Sequence, residues 1–234
     1  MTISKDKRLV MVTSGVDILD IFSYEFIKAF ENMGYEVFDF KANEGIDSVR
    51  KLIDFVKKPV KAAIFYEQLG LFASVTEGKN LWEQLRIPCI DILMDHPFCF
   101  SEDFDRMNPD VIVLCPDRNH MKYLNRFYPK LHTTGFLAHG GIKKSDFPKP
   151  IKERKTDVLY AGGISAFSVD KVMPDFSEFT FDAKKVSEDA LEDLIANPHK
   201  TTEEVIEDSL KDKKLSFSDD ELKDIIAQLR SLVL

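Results

Sequence analysis

The residues best suited to chemistry lie where an apolar run stops. Ile92-Leu93-Met94 gives way to Asp95, His96 and Pro97, and the chain then resumes with Phe98-Cys99-Phe100. A carboxylate or an imidazole placed at a cleft rim can take a proton from a hydroxyl as that oxygen attacks an electrophilic carbon, since histidine titrates near neutrality and aspartate is anionic there. The competing reading is structural: aspartate caps loop amides, histidine packs on the neighbouring phenylalanines, and proline ends the strand. Asp95 and His96 are therefore the candidate catalytic pair, with capping as the alternative.

Other candidates fall in similar places. Gly15 follows the apolar run Leu9 to Thr13 and suits either a close approach to a phosphate or a tight turn into a helix. Glu67, after Tyr66, could bind acceptor hydroxyls or sit in a solvated loop. His139-Gly140-Gly141 could offer an imidazole and backbone amides to a phosphate or sugar, or form a turn that needs positive φ. Asp117 opens a helical stretch, where its simplest role is the cap and its second a ligand contact. His96-x2-Cys99 and Cys115-x4-His120 contain zinc-compatible side chains, but their spacing matches no closed structural site, so no metal is expected.

The elements that must position these residues alternate in type. Strand-like runs at Leu9 to Thr13, Tyr35 to Phe40, Ala62 to Tyr66, Ile87 to Met94, Val111 to Cys115 and Leu131 to Gly135 are separated by helix-like stretches. The first of these places Ile18, Ile21, Phe22, Phe26, Ala29, Phe30 and Met33 at helical spacing, and Gly34 ends it. Further helices are expected near 46 to 56, 76 to 85, 101 to 107 and 117 to 127. Parallel strands need such crossovers, and continuously apolar strands imply a sheet covered on both faces. The expected fold is α/β: a doubly wound, mostly parallel Rossmann-like sheet, whose ligands bind beyond the carboxyl ends of the strands. All the candidate loops emerge at that rim. Neither a GxGxxG nor a Walker sequence is present, so those phosphate cradles are not expected.

Beyond residue 145 the character changes. Residues 146–155 read as a charged, proline-containing linker, and 156–234 as the start of a second domain: a strand running into a glycine turn over Thr156 to Ile164, then acidic helices near 183 to 197, 201 to 212 and 218 to 233. Thr201 to Glu204 and Ser218 to Glu221 are N-terminal cap signals for the last two.

Composition narrows the function classes. With 234 residues and 44% hydrophobic content the chain can bury a substantial core. Its apolar runs are far shorter than the roughly 20 residues of a membrane helix, and the polar start lacks a signal-peptide core, so the cytoplasm is the expected compartment. Of the net charge of −8, residues 175–224 supply sixteen acidic side chains against seven lysines. A nucleic-acid partner is not expected. Cys89, Cys99 and Cys115 sit among apolar neighbours and read as core-filling thiols.

The order of motifs resembles a known family. Phe136-Leu137-Ala138-His139-Gly140-Gly141-Ile142, then Phe147-Pro148, then Val158-Leu159-Tyr160-Ala161-Gly162-Gly163 is similar to the interdomain junction of GT-B glycosyltransferases. The similarity is closest to the CgeB-like and group 1 bacterial members, whose first domain carries a strand ending in Asp-His-Pro or Asp-Asn-Pro. The stretch Asn197 to Glu204 also looks like the segment preceding the bulk of their second domain. The resemblance implies a nucleotide-sugar donor as substrate, a glycan, cell-surface or protein hydroxyl as acceptor, and neither cofactor nor metal. It further implies that the chain is the N-terminal portion of such an enzyme. The alternative from a different class is a non-catalytic Rossmann-like module with a helical arm that binds a partner.

Overall fold

The computed structural model describes residues 7–15, 17–76, 78–140, 149–156 and 176–233. The chain divides into two compact units, Met1–Ile142 and Lys143–Leu234.

In the first unit the chain order is β1 (Arg8–Thr13), α1 (Asp17–Asn32), β2 (Glu36–Lys41), α2 (Ile46–Phe55), β3 (Ala62–Tyr66), then a small hairpin of β4 (Ser74–Thr76) and β5 (Lys79–Asn80). It continues with α3 (Leu81–Leu85), β6 (Cys89–Ile92), α4 (Ser101–Arg106), β7 (Ile112–Cys115), α5 (Arg118–Phe127) and β8 (Thr133–Phe136). Six strands form one all-parallel sheet in the order β2-β1-β3-β6-β7-β8. This is the doubly wound, Rossmann-like arrangement that the alternation predicts. The chain moves outward one way from β1 to β2 and the other way from β3 onward, so the topological switch point lies between β1 and β3.

Both faces of the sheet are apolar, as continuous strand patterns require. On one face Leu9, Met11, Ile64, Tyr66 and Ile92 form a cluster against Leu19, Phe22, Phe26, Ile27 and Phe30 of α1. On the other, Phe38 stacks on Phe55 of α2 at 5.1 Å, and Phe40 and Phe65 meet Trp82 of α3 edge-on at 5.2 and 5.0 Å. One register row on this second face runs Phe65, Asp91, Val113, Thr134, which places a carboxyl group in the middle of the layer.

Two expectations are corrected. The helix expected near 76 to 85 begins only at Leu81, because β4 and β5 form the hairpin, Gly78 turns at φ 74°, and the Asn80 side chain caps the helix by accepting from the amides of Trp82 and Glu83. Cys99 is exposed rather than core-filling, since the turn Pro97–Phe100 carries it outward; Cys89 and Cys115 are buried.

Among its described residues the second unit holds three α-helices, α6 (Ala183–Ala196), α7 (Thr202–Asp212) and α8 (Asp219–Val233). Val186, Ala190, Val205, Ile206, Leu210, Leu222, Ile226 and Leu229 are buried between them. Thr201 and Glu204 close a reciprocal capping box on α7, and Ser218 and Glu221 exchange the same pair of bonds ahead of α8. Of the strand expected over Thr156 to Ile164, all but Thr156 lies outside the described residues. Among the described residues, no helix is long and apolar enough to cross a membrane.

Candidate functional site

Because every sheet strand runs the same way, the loops after β1, β3, β6, β7 and β8 share one rim. Around the switch point that rim is built by unusual backbone. Glu67 and Gln68, directly after β3, both have positive φ, 51° and 61°. Non-glycine residues enter this left-handed region at a cost, and two in succession persist only where surrounding contacts hold them. Here the turn swings the Glu67 carboxylate across to the end of β6. It accepts hydrogen bonds from the amides of Met94 and, at 2.8 Å, Asp95. Burial raises the Glu67 carboxyl above the usual carboxylate range; the two amides oppose that shift, and the charge of Asp95 adds to it.

This clamp fixes the backbone of the Asp95-His96-Pro97 loop and leaves the Asp95 side chain exposed. His96 is fixed by other means. Its Nδ1 accepts from the amide of Phe98 at 3.2 Å and caps the turn Pro97–Phe100. Its ring stacks on Phe98 at 3.9 Å and meets His120 and Tyr123 of α5 edge-on at 4.4 and 5.1 Å. A neutral imidazole that accepts at Nδ1 carries its proton on Nε2. His96 is therefore held by the turn it caps and by the aromatic rings around it. Asp95 is the member of the pair placed to act as a base.

The structure therefore brings Glu67, Asp95 and His96 together, and adds His120 and Tyr123. Gly15 belongs to a neighbouring part of the rim. It turns at φ 81°, and a Cβ on it would lie 2.8 Å from Nδ2 of Asn43. The amides of Ser14 and Gly15 each donate at 2.9 Å to the Asp20 carboxylate, so those donors are already engaged within the chain. Asp117 caps α5, accepting from the amide of Asn119 at 2.6 Å. His139 and Gly140 are exposed beyond β8, and a Cβ at Gly140 would meet nothing within 4 Å. Gly141 lies outside the described residues.

Sequence reasoning missed the carboxyl beneath this rim. Asp91, in β6, is 0% exposed. Its Oδ1 accepts from the amide of Gln68 at 2.9 Å, while Oδ2 and both polar side-chain atoms of Gln68 find no hydrogen-bond partner among the described residues. Burial pushes the Asp91 carboxyl up to about 8, with the charges of Glu67 and Asp103 in the same direction and the Gln68 amide against it. The available signal was an acid inside the apolar run Cys89-Ile90-Asp91-Ile92. Among the described residues, no three His, Cys, Asp or Glu side chains converge as metal ligands.

Compared with protein-family models, curated proteins and solved structures, the chain shows no significant match to any of them.

Proposed function

We propose that the first unit is the acceptor-side domain of a GT-B-type glycosyltransferase that moves a sugar from a nucleotide diphosphate donor to a hydroxyl of a glycan, cell-surface polymer or protein in the cytoplasm. The observation that carries this reading is the Glu67 clamp. It costs backbone strain at two residues, and its effect is to hold Asp95 at the carboxyl rim of a doubly wound sheet. In the reaction the acceptor oxygen bonds to the anomeric carbon, the bond from that carbon to the nucleotide phosphate breaks, and Asp95 takes the acceptor proton. His96, fixed beside Asp95 by its stacking and capping contacts, helps to orient the acceptor. His139 and Gly140 contribute at the far end of the same rim.

The test is turnover of a panel of nucleotide sugars by the product of the whole reading frame, comparing wild type with Asp95→Asn and His96→Ala. Loss of turnover in Asp95→Asn supports the assignment, and unchanged turnover in both variants removes the pair from the chemistry. One observation favours a second reading, a non-catalytic module whose helical unit docks a partner. Leu191 and Ile195, one turn apart on α6, are 38% and 73% exposed. Val186, Ala190, Val205, Ile206, Leu210, Leu222, Ile226 and Leu229 pack internally, and absence of turnover with every donor would favour this alternative.

A further inference from the structure

We propose that a cleft at the amino-terminal ends of β6 and β7, away from the carboxyl rim, binds a small organic phosphate: a phosphate monoester on an apolar or aromatic body. The cleft has a volume of about 830 Å³, within the usual range of small-molecule sites. It lies between the β4–β5 hairpin, α3 and the end of α4, and its floor is apolar, with Leu71, Ile87, Met107 and Val111.

Charge selects the ligand class. Three cations line the cleft, Lys79, Arg86 and Arg106, together with two acids, Glu83 and Asp110. Both acids are engaged: Glu83 accepts from Nδ2 of Asn108 at 2.6 Å, and Asp110 meets Nδ1 of His132 at 3.0 Å. Arg106 donates to Asp103 at 3.1 Å and lies over the Phe72 ring at 4.1 Å. Lys79 and Arg86 remain, and neither side chain makes a hydrogen bond or ion pair with a described residue. Two unmatched cations at one cavity are notable in a chain of net charge −8. With three cations against two acids the lining is cationic by one charge, and Lys79 and Arg86 are the groups left to donate to the oxygens of a phosphate monoester, which arginine can grip through two parallel hydrogen bonds.

The backbone at Arg86 is an independent sign. It sits at the end of α3 in the left-handed conformation, φ 54° and ψ 39°, where glycine or asparagine is the ordinary choice. An arginine held there places a guanidinium at the mouth of the cleft at a conformational cost. This inference rests on no part of the sugar-transfer reading.

Trp82, the single tryptophan of the chain, lines the cleft and reports on it. Titration with phenyl phosphate should give a saturable change in Trp82 fluorescence that weakens with added salt. Inorganic phosphate should bind at least about tenfold more weakly, and phenol should give no saturable change. Arg86→Asn keeps a residue suited to the left-handed backbone, and Lys79→Ala alters an exposed side chain. Each should weaken phenyl phosphate at least about tenfold while thermal unfolding stays as in wild type. Absence of saturation with phenyl phosphate, or wild-type affinity in both variants, overturns the site. Equal affinity for inorganic phosphate overturns the apolar part of the assignment.

Discussion

Replacing Asp91 with asparagine should remove a pH dependence from the stability of the first unit. The native carboxyl titrates at about 8 because it is fully buried, whereas an aspartate in an unfolded chain titrates at roughly 3.9. Between those values the native state holds a proton that the unfolded state has released. Stability must then fall as pH rises, by about 1.4 kcal/mol per pH unit, and level off above pH 8. Asparagine at this position cannot titrate, yet its side-chain oxygen can still accept from the Gln68 amide. The difference in unfolding free energy, Asp91→Asn minus wild type, should therefore grow by about 4 kcal/mol between pH 5 and pH 8. Glu67, also raised by burial, biases both proteins in the same direction. Glu36, Asp189 and Asp193 are lowered by their basic partners, so their contributions are lost only as pH falls through the acid range. Guanidinium titrations at four pH values, followed by Trp82 fluorescence, measure the quantity within the first unit. A difference that stays flat from pH 5 to pH 8 would refute the buried-carboxyl reasoning.

Two further outcomes concern what holds the sheet together. Arg8 is 7% exposed and donates to Glu36 at 2.6 Å and to the carbonyls of Phe55 and Lys58 at 2.9 and 3.0 Å, with its guanidinium over the Phe55 ring at 3.8 Å. Arg8→Met should cost about 2–4 kcal/mol by leaving those carbonyls unmet, while Glu36→Gln, at an exposed partner, should cost much less in the same denaturation assay. Gly70 turns at φ 81°, and a Cβ there would lie 2.9 Å from Cγ1 of Val12, so Gly70→Ala should lower stability by about 2 kcal/mol or more. Gly78→Ala adds a Cβ in open space at φ 74° and should cost about 1 kcal/mol, a contrast readable by thermal unfolding.

The sheet was legible because its signals are local. Runs such as Ala62 to Tyr66 are apolar at every position, α1 repeats its apolar residues at helical spacing, and the caps at Thr201 and Ser218 lie within four residues of their partners. The hairpin before α3 was not legible, since Ser74 to Asn80 has too few residues to establish a period against the helix that follows. The rim as a place was also readable, because parallel strands deliver all their following loops to one end. Its internal wiring was not. Glu67 reaches Asp95 across 28 positions of sequence, and His96 meets His120 through the packing of α5 on the β6 loop. Gly15 suggested open amides, and only the fold reveals that the Asp20 carboxylate occupies them. Asp91 hid for the opposite reason: within an apolar strand a single acid carries no spacing that announces its burial.

The central claim is that the clamped Asp95 takes a proton from an acceptor hydroxyl, with His96 helping to orient that hydroxyl. The direct measurement is the rate of sugar transfer by the whole reading-frame product, as a function of pH, for wild type, Asp95→Asn and His96→Gln. The account predicts that Asp95→Asn lowers transfer by at least about a hundredfold with the fold intact. It predicts that His96→Gln, whose side-chain oxygen can still accept from the Phe98 amide, retains most of the activity. Full transfer by Asp95→Asn, or abolition of transfer only in His96→Gln, would contradict it.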